Sequence, residues 1–153
     1  MIKKRIKALV NKFNKYNIDG YVIPKNDEFF SEYSENDRLK IISNFSGSAG
    51  YSIILKNKNY LFVDGRYTIQ AENESADNFK IVNYQKILNC NLFKNLSLGI
   101  DPKIFTSQQI KNFFNKHNKV KIIETNLIDQ IYKNKSKSNK PFFSLDDKIV
   151  GES

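Results

Sequence analysis

The scarcities of this 153-residue chain are one cysteine, one histidine, one methionine, three prolines and no tryptophan. A single cysteine, Cys90, excludes an internal disulfide framework and fits a reducing compartment. Cys90 and His117 together fall short of the four ligands that a structural zinc site wants. A Cys90–His117 nucleophile pair would lack an orienting third group, and Cys90 sits in ILNCNLF, without the cationic or helix-start setting that activates a thiol. The bland assignment, a surface histidine and a buried thiol, is preferred, and an independent hydrolase using Cys90 is nearly excluded. No apolar run reaches eighteen residues, so no bilayer span is expected. The N-terminal MIKKRIKALV is charged, but no continuous apolar stretch or small-residue cleavage site follows it. A secretory signal is therefore not expected, and the expected location is cytoplasmic.

Charge of one sign is abundant. The net charge is +9 and the pI about 9.5, which raises the question of nucleic acid or another anionic surface. All but three of the 25 basic residues are Lys, spread along the chain and accompanied by 20 Asn. That pattern is the drift expected of an A+T-rich genome, and no basic block of five or six occurs. KNKSKSNK at 133–140 comes nearest and reads as a solvated linker. Nucleic acid is not an expected partner. The same drift makes the three arginines, Arg5, Arg38 and Arg66, informative. Where Lys is used so freely, a retained Arg points to a need for a planar, two-pronged guanidinium.

Hydrophobic periodicity supplies the elements. Ile2, Ile6, Leu9, Val10 and Phe13 fall at helical spacing over 2–16, with Asp19-Gly20 as the stop. Tyr21-Val22-Ile23 reads as a short buried strand ended by Pro24. Ser34 to Asp37 reads as a capping box for a helix carrying Leu39, Ile41 and Ile42. YSIIL (51–55) and YLFV (60–63) flank a KNKN turn as a hairpin, and Tyr67 to Glu74 reads as a short helix. FKIVNY (79–84), LSLGID (96–101) and KVKIIE (119–124) are further strands. Thr106 and Gln109 can cap a helix running to about His117 with Ile110, Phe113 and Phe114 on one face, and NLIDQIYKN is a last short helix. Strands alternate with helices except at the hairpin, so the expected fold is α/β, a mixed sheet of about six strands flanked by helices. From about residue 133 the chain turns polar and reaches DDKIVGES without a closing element, as at a domain boundary.

Two features between residues 45 and 72 invite a chemical reading. Ser46-Gly47-Ser48-Ala49-Gly50 could cradle a phosphate on its backbone N–H groups. It lacks the Lys-Ser/Thr of a P-loop and leads into a strand rather than a helix, so a tight packing connection is the preferred reading. The carboxylate pairs Asp27-Glu28, Glu72-Glu74 and Asp146-Asp147 carry no mark that separates acid/base work from solvated surface. Asp64-Gly65-Arg66 ends a strand and presents an arginine at a helix start, where α/β sheets commonly bind ligands. Arg66 could clamp a carboxylate or carbonyl oxygen. Equally, Asp64 could cap the helix and Arg66 pair internally. Both readings stand on the sequence.

The stretch SEYSENDRLKIISNFSGSAGYSIILKNKNYLFVDGRYTIQAENE resembles the N-terminal domain of Xaa-Pro aminopeptidases, in the creatinase/prolidase superfamily. The pieces are Ser31-Glu32-Tyr33, Asp37-Arg38, Ser43-Asn44-Phe45-Ser46-Gly47-Ser48-Ala49-Gly50, Val63-Asp64-Gly65-Arg66-Tyr67 and Gln70-Ala71. Tyr21 to Pro24, Leu98 to Pro102 and Glu124 to Asp129 also sit where that family has similar segments. One departure is Asn44, where the family usually has Gly. Asn tolerates the left-handed backbone better than most residues, so the turn can survive.

The resemblance implies a creatinase/prolidase N-terminal domain with a ribonuclease H-like motif over 1–132 and a polar linker over 133–153 toward a following domain. That absent pita-bread domain would bind two divalent metals, with manganese the expectation, and remove an N-terminal residue that precedes proline. None of its metal ligands is present, and no cofactor is expected in this chain. The domain at hand would be non-catalytic: it would wall the mouth of the active site, limit peptide length and contribute to homo-oligomer contacts. Arg66, matching the Arg of the family's D-G-R, is the substrate-binding candidate. A different class of function, a standalone basic binding module reusing the same fold, remains the alternative.

Overall fold

The structure is a computed structural model that describes residues 1–31, 34, 36–87, 94–113, 117–133 and 149. The expectations placed on Glu32, Tyr33, Cys90, Phe114, Asp146-Asp147 and the linker beyond residue 133 lie outside the described residues.

Six strands form one sheet in the order β4-β3-β2-β1-β5-β6. They are β1 Gly20–Pro24, β2 Gly50–Leu55, β3 Asn59–Val63, β4 Lys80–Asn83, β5 Ser97–Ile100 and β6 Lys119–Ile122. β2 is antiparallel to both neighbours, pairing Val22 with Ile53 on one side and Ser52 with Leu61 on the other. The β3–β4, β1–β5 and β5–β6 pairs are parallel. The mixed α/β sheet expected from the element pattern is therefore present, with five strands ending at one edge where β2 begins. The β2–β3 hairpin closes with the Leu55 amide donating to the Lys58 carbonyl at 2.9 Å.

Helices cover the faces: α1 Ile2–Val10, α2 Phe13–Tyr16, α3 Arg38–Ser43, α4 Thr68–Ser75, α5 Ser107–Phe113 and α6 Leu127–Ile131. The period-two alternation of the strands sorts the core into two layers. Tyr21, Ile23, Ile54, Leu61 and Val63 pack with Leu9, Phe13, Leu39, Ile42 and Leu127 on one side. Val22, Ile53, Tyr60, Phe62, Leu98 and Ile100 pack on the other with Ile104 and Phe105, and Ile110 of α5 lies against them.

Three local details differ from the sequence reading. The helix expected over 2–16 divides at Asn11 and Lys12, where the Lys12 amide bonds back three residues to the Leu9 carbonyl at 2.9 Å. Its stop is Asn17, in the left-handed region at φ 50°, with the Ile18 amide reaching Phe13 O at 3.1 Å. Gly20 instead opens β1. The cap of α3 is Asp37, whose Oδ1 accepts from the Lys40 amide at 2.9 Å, while Ser34 Oγ accepts from the Asn36 amide at 3.0 Å. A carboxylate one residue before the helix has the shorter route to the free amides of the first turn. The Thr106–Gln109 box forms as read, each side chain accepting from the other's amide at 2.8 and 3.1 Å.

The small-residue loop before β2 is a packing turn. Asn44 ends α3 at φ 65°, the left-handed conformation that its position was expected to need. Phe45 then turns into the core and is fully buried. A Cβ at Gly47 would overlap the Phe45 ring, and one at Gly50 would lie 2.9 Å from the Phe62 carbonyl oxygen. The Ser46 amide and hydroxyl both donate to Glu74 of α4, at 2.6 and 2.7 Å. A phosphate at that amide would face a carboxylate already in place.

This packing predicts a contrast between glycines. Gly50→Ala should destabilise the domain by about 1–3 kcal/mol, because the neighbouring backbone cannot yield. Gly65→Ala, whose nearest neighbour is Asn83 Nδ2 at 3.9 Å, should stay within about 0.5 kcal/mol. Urea unfolding midpoints measure both, and equal costs would contradict the packing account.

Candidate functional site

The edge where β1, β3 and β4 end carries a cleft of about 270 Å³. Its walls include Lys25 after β1, Ser48 to Tyr51 at the start of β2, Asp64 after β3 and Tyr84 after β4. Strand ends of an α/β sheet offer such concavities because the loops diverge there.

Asp64 lines the cleft, and Arg66 is bonded to it. Asp64 Oδ1 accepts from both the Arg66 amide at 3.0 Å and Arg66 Nε at 2.9 Å. The two bonds hold the Asp64 carboxyl below its ordinary value, the amide bond first, and the bond to Asp64 raises the Arg66 guanidinium. Of the two readings left open by the sequence, the structure shows the internal one. Asp64 caps the turn Gly65–Tyr67 and pairs with Arg66, yet the Arg66 side chain remains 76% exposed. Among the described residues its terminal amino groups have no hydrogen-bond partner, and its guanidinium lies 5.5 Å from the Tyr67 ring centroid. Tyr67 is fixed in turn by its hydroxyl against Ser48 Oγ at 2.8 Å and by an edge contact with Phe45. The far end of the guanidinium is therefore exposed to solvent beside a tyrosine that is itself held in place.

The other two arginines act in the frame. Arg38 is 4% exposed and grips Asp129 of α6 with two prongs, Nε to Oδ1 at 2.9 Å and Nη2 to Oδ2 at 2.7 Å. The same Nη2 donates to Glu28 in the loop after β1 at 2.6 Å, and Nη1 is buried without a partner. Burial alone would lower the guanidinium, but the bonds to Asp129 and Glu28 outweigh it and raise the group above its usual value. The hydrogen bond from Arg38 holds the Glu28 carboxyl below the ordinary carboxylate range. Arg5 donates to the Ile41 carbonyl at 2.6 Å and lies 4.9 Å from the Tyr132 ring centroid, joining α1 to α3 and to the residue after α6. Arg38 and Arg5 use geometry that an ammonium cannot reproduce.

Sequence reasoning missed the loop after β1. Phe29 and Phe30 are exposed there, and Phe30 lines the cleft beside Lys25, whose ammonium pairs with Asp37. Adjacent phenylalanines in an otherwise polar loop were the available signal. His117 accepts from the Asn95 amide at 2.9 Å through its backbone carbonyl. Among the described residues no group of three or more His, Cys, Asp or Glu side chains could hold a metal ion, and no helix is long and apolar enough to cross a membrane.

Comparison with known proteins agrees with the fold. The family model described as Creatinase/Prolidase N-terminal domain matches residues 5–131. A protein of Coprinopsis cinerea described as a probable Xaa-Pro aminopeptidase P is 33% identical over 98% of this chain. The chain spans 27% of the length of that relative. An X-prolyl aminopeptidase from Caenorhabditis elegans, described as a cytosolic enzyme with a di-nuclear active site, matches in structure with a TM-score of 0.78. There the identity is 22%, over 90% of this chain and 26% of the worm enzyme. The N-terminal domain of the cytoplasmic peptidase PepQ from Mycobacterium tuberculosis H37Rv matches at TM-score 0.64 and 16% identity, covering 84% of this chain and 98% of that one.

Removing Arg38 should be severe, because it strands Asp129 and Glu28. Arg38→Met is expected to cost about 1.5–3 kcal/mol in urea unfolding, because both carboxylates are partly exposed, with Arg38→Lys between it and the native chain. The lowered Glu28 carboxyl adds stability that is full above its unfolded value and lost as pH falls through the folded one. Below about pH 5 the native chain should therefore lose stability more steeply than Arg38→Met, in which Glu28 reverts toward the ordinary value of about 4.3.

Proposed function

The chain belongs to the creatinase/prolidase N-terminal domain family, and from that premise we propose that it is the non-catalytic, peptide-facing domain of an Xaa-Pro aminopeptidase. The whole protein would be a metallopeptidase that releases an N-terminal residue preceding proline. In it, this domain gates and binds the peptide at the mouth of a pita-bread catalytic domain and contributes to a homo-oligomer. Two divalent metals, with manganese the expectation, would be held by the rest of that protein. A cytoplasmic location accords with the worm neighbour, described as cytosolic.

One observation carries the reading. Arg66 stands where β3 ends, held by Nε and its own amide on Asp64, with its terminal amino groups turned out to solvent. Such an arginine offers paired N–H donors to a peptide carbonyl or carboxylate without first giving up an internal partner. A standalone basic module has less behind it. Lys56 beside the cavity at the N-terminal helix pairs with Asp19 at 3.6 Å, and that cavity also contains Asp77.

In the full-length enzyme, Arg66→Ala should raise KM for Xaa-Pro peptides about ten- to a hundredfold, the worth of hydrogen bonds to a charged group. Arg66→Lys should recover part of the loss. Unchanged kinetics with both short and longer Xaa-Pro peptides would overturn the role given to Arg66.

A further inference from the structure

Three consecutive polar side chains restrain the loop after β1. Asn26 Nδ2 donates to the Ile104 carbonyl at 3.0 Å and to the Asp27 carbonyl at 3.1 Å. Asp27 Oδ1 accepts from the amides of Phe29 and Ser31 at 2.9 and 3.0 Å. Glu28 is held by Arg38 at 2.6 Å. The next two residues then expose apolar rings, Phe29 to 89% and Phe30 to 48%. Phe30 has φ 59°, a conformation that is strained for a bulky residue and persists only where its surroundings impose it. A loop needed merely to connect β1 to α3 would gain nothing from fixing two phenylalanines in water.

The cleft behind Phe30 has aromatic walls from Phe30, Tyr51 and Tyr84. Its charged residues are already answered, Lys25 by Asp37 and Asp64 by Arg66. A charged side chain would gain little there, whereas a neutral apolar one would exchange water for three rings. At about 270 Å³ the space lies below the ~300–1,000 Å³ of pockets that enclose whole ligands, and it suits a single side chain. Asp64 both lines the cleft and anchors Arg66, so the two features are continuous.

We propose that this cleft is a subsite for an apolar, preferentially aromatic, side chain of the bound peptide at a position beyond the proline, with Phe30 as the specificity-determining wall. The proposal rests on the reading of Arg66 as the residue that holds the peptide main chain. The loop's polar anchors set the ring before the peptide arrives, which lowers the ordering cost of binding.

The test is an NMR titration of the 153-residue chain with Ala-Pro-Phe, Ala-Pro-Ser and N-acetylphenylalaninamide, following the Phe30 and Tyr84 signals. Ala-Pro-Phe should bind about five- to tenfold more tightly than Ala-Pro-Ser, the scale of an aromatic pair. Phe30→Gly removes the ring while suiting the left-handed backbone, so the variant should keep a native-like spectrum. It should abolish the preference by weakening Ala-Pro-Phe to the level of Ala-Pro-Ser, while Phe30→Tyr should retain the preference. Arg66→Ala should weaken both tripeptides alike and keep their ratio. A preference that survives Phe30→Gly, or no preference in the native chain, overturns the subsite. Tripeptide affinities indifferent to Arg66→Ala, with N-acetylphenylalaninamide still shifting Tyr84, would instead sink the Arg66 reading and leave an aromatic cleft standing.

Discussion

A guanidinium with almost no access to water must have its charge answered inside the fold, and Arg38 is answered from two directions. Asp129 meets it edge-on from α6, 91 residues later in sequence, and Glu28 meets it from the loop after β1. Removing a charge from water costs several kcal/mol, and only good geometry on both sides offsets that. The arrangement therefore commits three separated segments to one another. α3 enters the core, α6 docks where the Tyr21 hydroxyl accepts from the Leu127 amide at 3.3 Å, and the loop carrying Phe29 and Phe30 is held at the cleft. Asn126 extends the same polar skeleton, capping α6 and donating to the buried Asp101 at 2.9 Å.

The lysine-rich composition and the fold divide the work of positive charge. Lysines supply solvated surface and, at Lys25, a compact ion pair; arginines appear where a planar fork is required. Arg38 and Arg5 use that fork within the domain, one on a carboxylate and one between a carbonyl and an aromatic face. Arg66 presents the same fork outward. The three scarce residues mark two structural junctions and one candidate ligand contact.

Most of the fold was legible because its signals are local. All six strands follow from short apolar runs, most of them β-branched or aromatic, and the capping by Thr106 and Gln109 follows from residues three apart. The left-handed Asn44 was legible once the segment was compared with a family that places Gly there. The helix stop moved from Asp19-Gly20 to Asn17 because the closing bond to Phe13 O, not glycine content, decides where the turn ends. The partners of Arg38 were not legible, since no local pattern couples residues 38 and 129. At the candidate site the position of Arg66 was readable from the strand end. Its simultaneous pairing and exposure was not, because one guanidinium can serve Asp64 with Nε and still keep its far end in water.

The outer strands of the sheet have a consequence for the molecule in a crowded solution. Among the described residues β4 and β6 are the sheet's two margins, and each leaves a row of backbone donors and acceptors unmatched along one side. Such rows recruit other chains and seed fibrous growth unless something discourages approach. β6 reads Lys119-Val120-Lys121-Ile122, and β4 opens on Lys80. An incoming copy would bring the same ammonium groups against them. The lysines of this basic chain thus discourage a further strand from pairing at either margin, which leaves the contacts of a homo-oligomer to other surfaces.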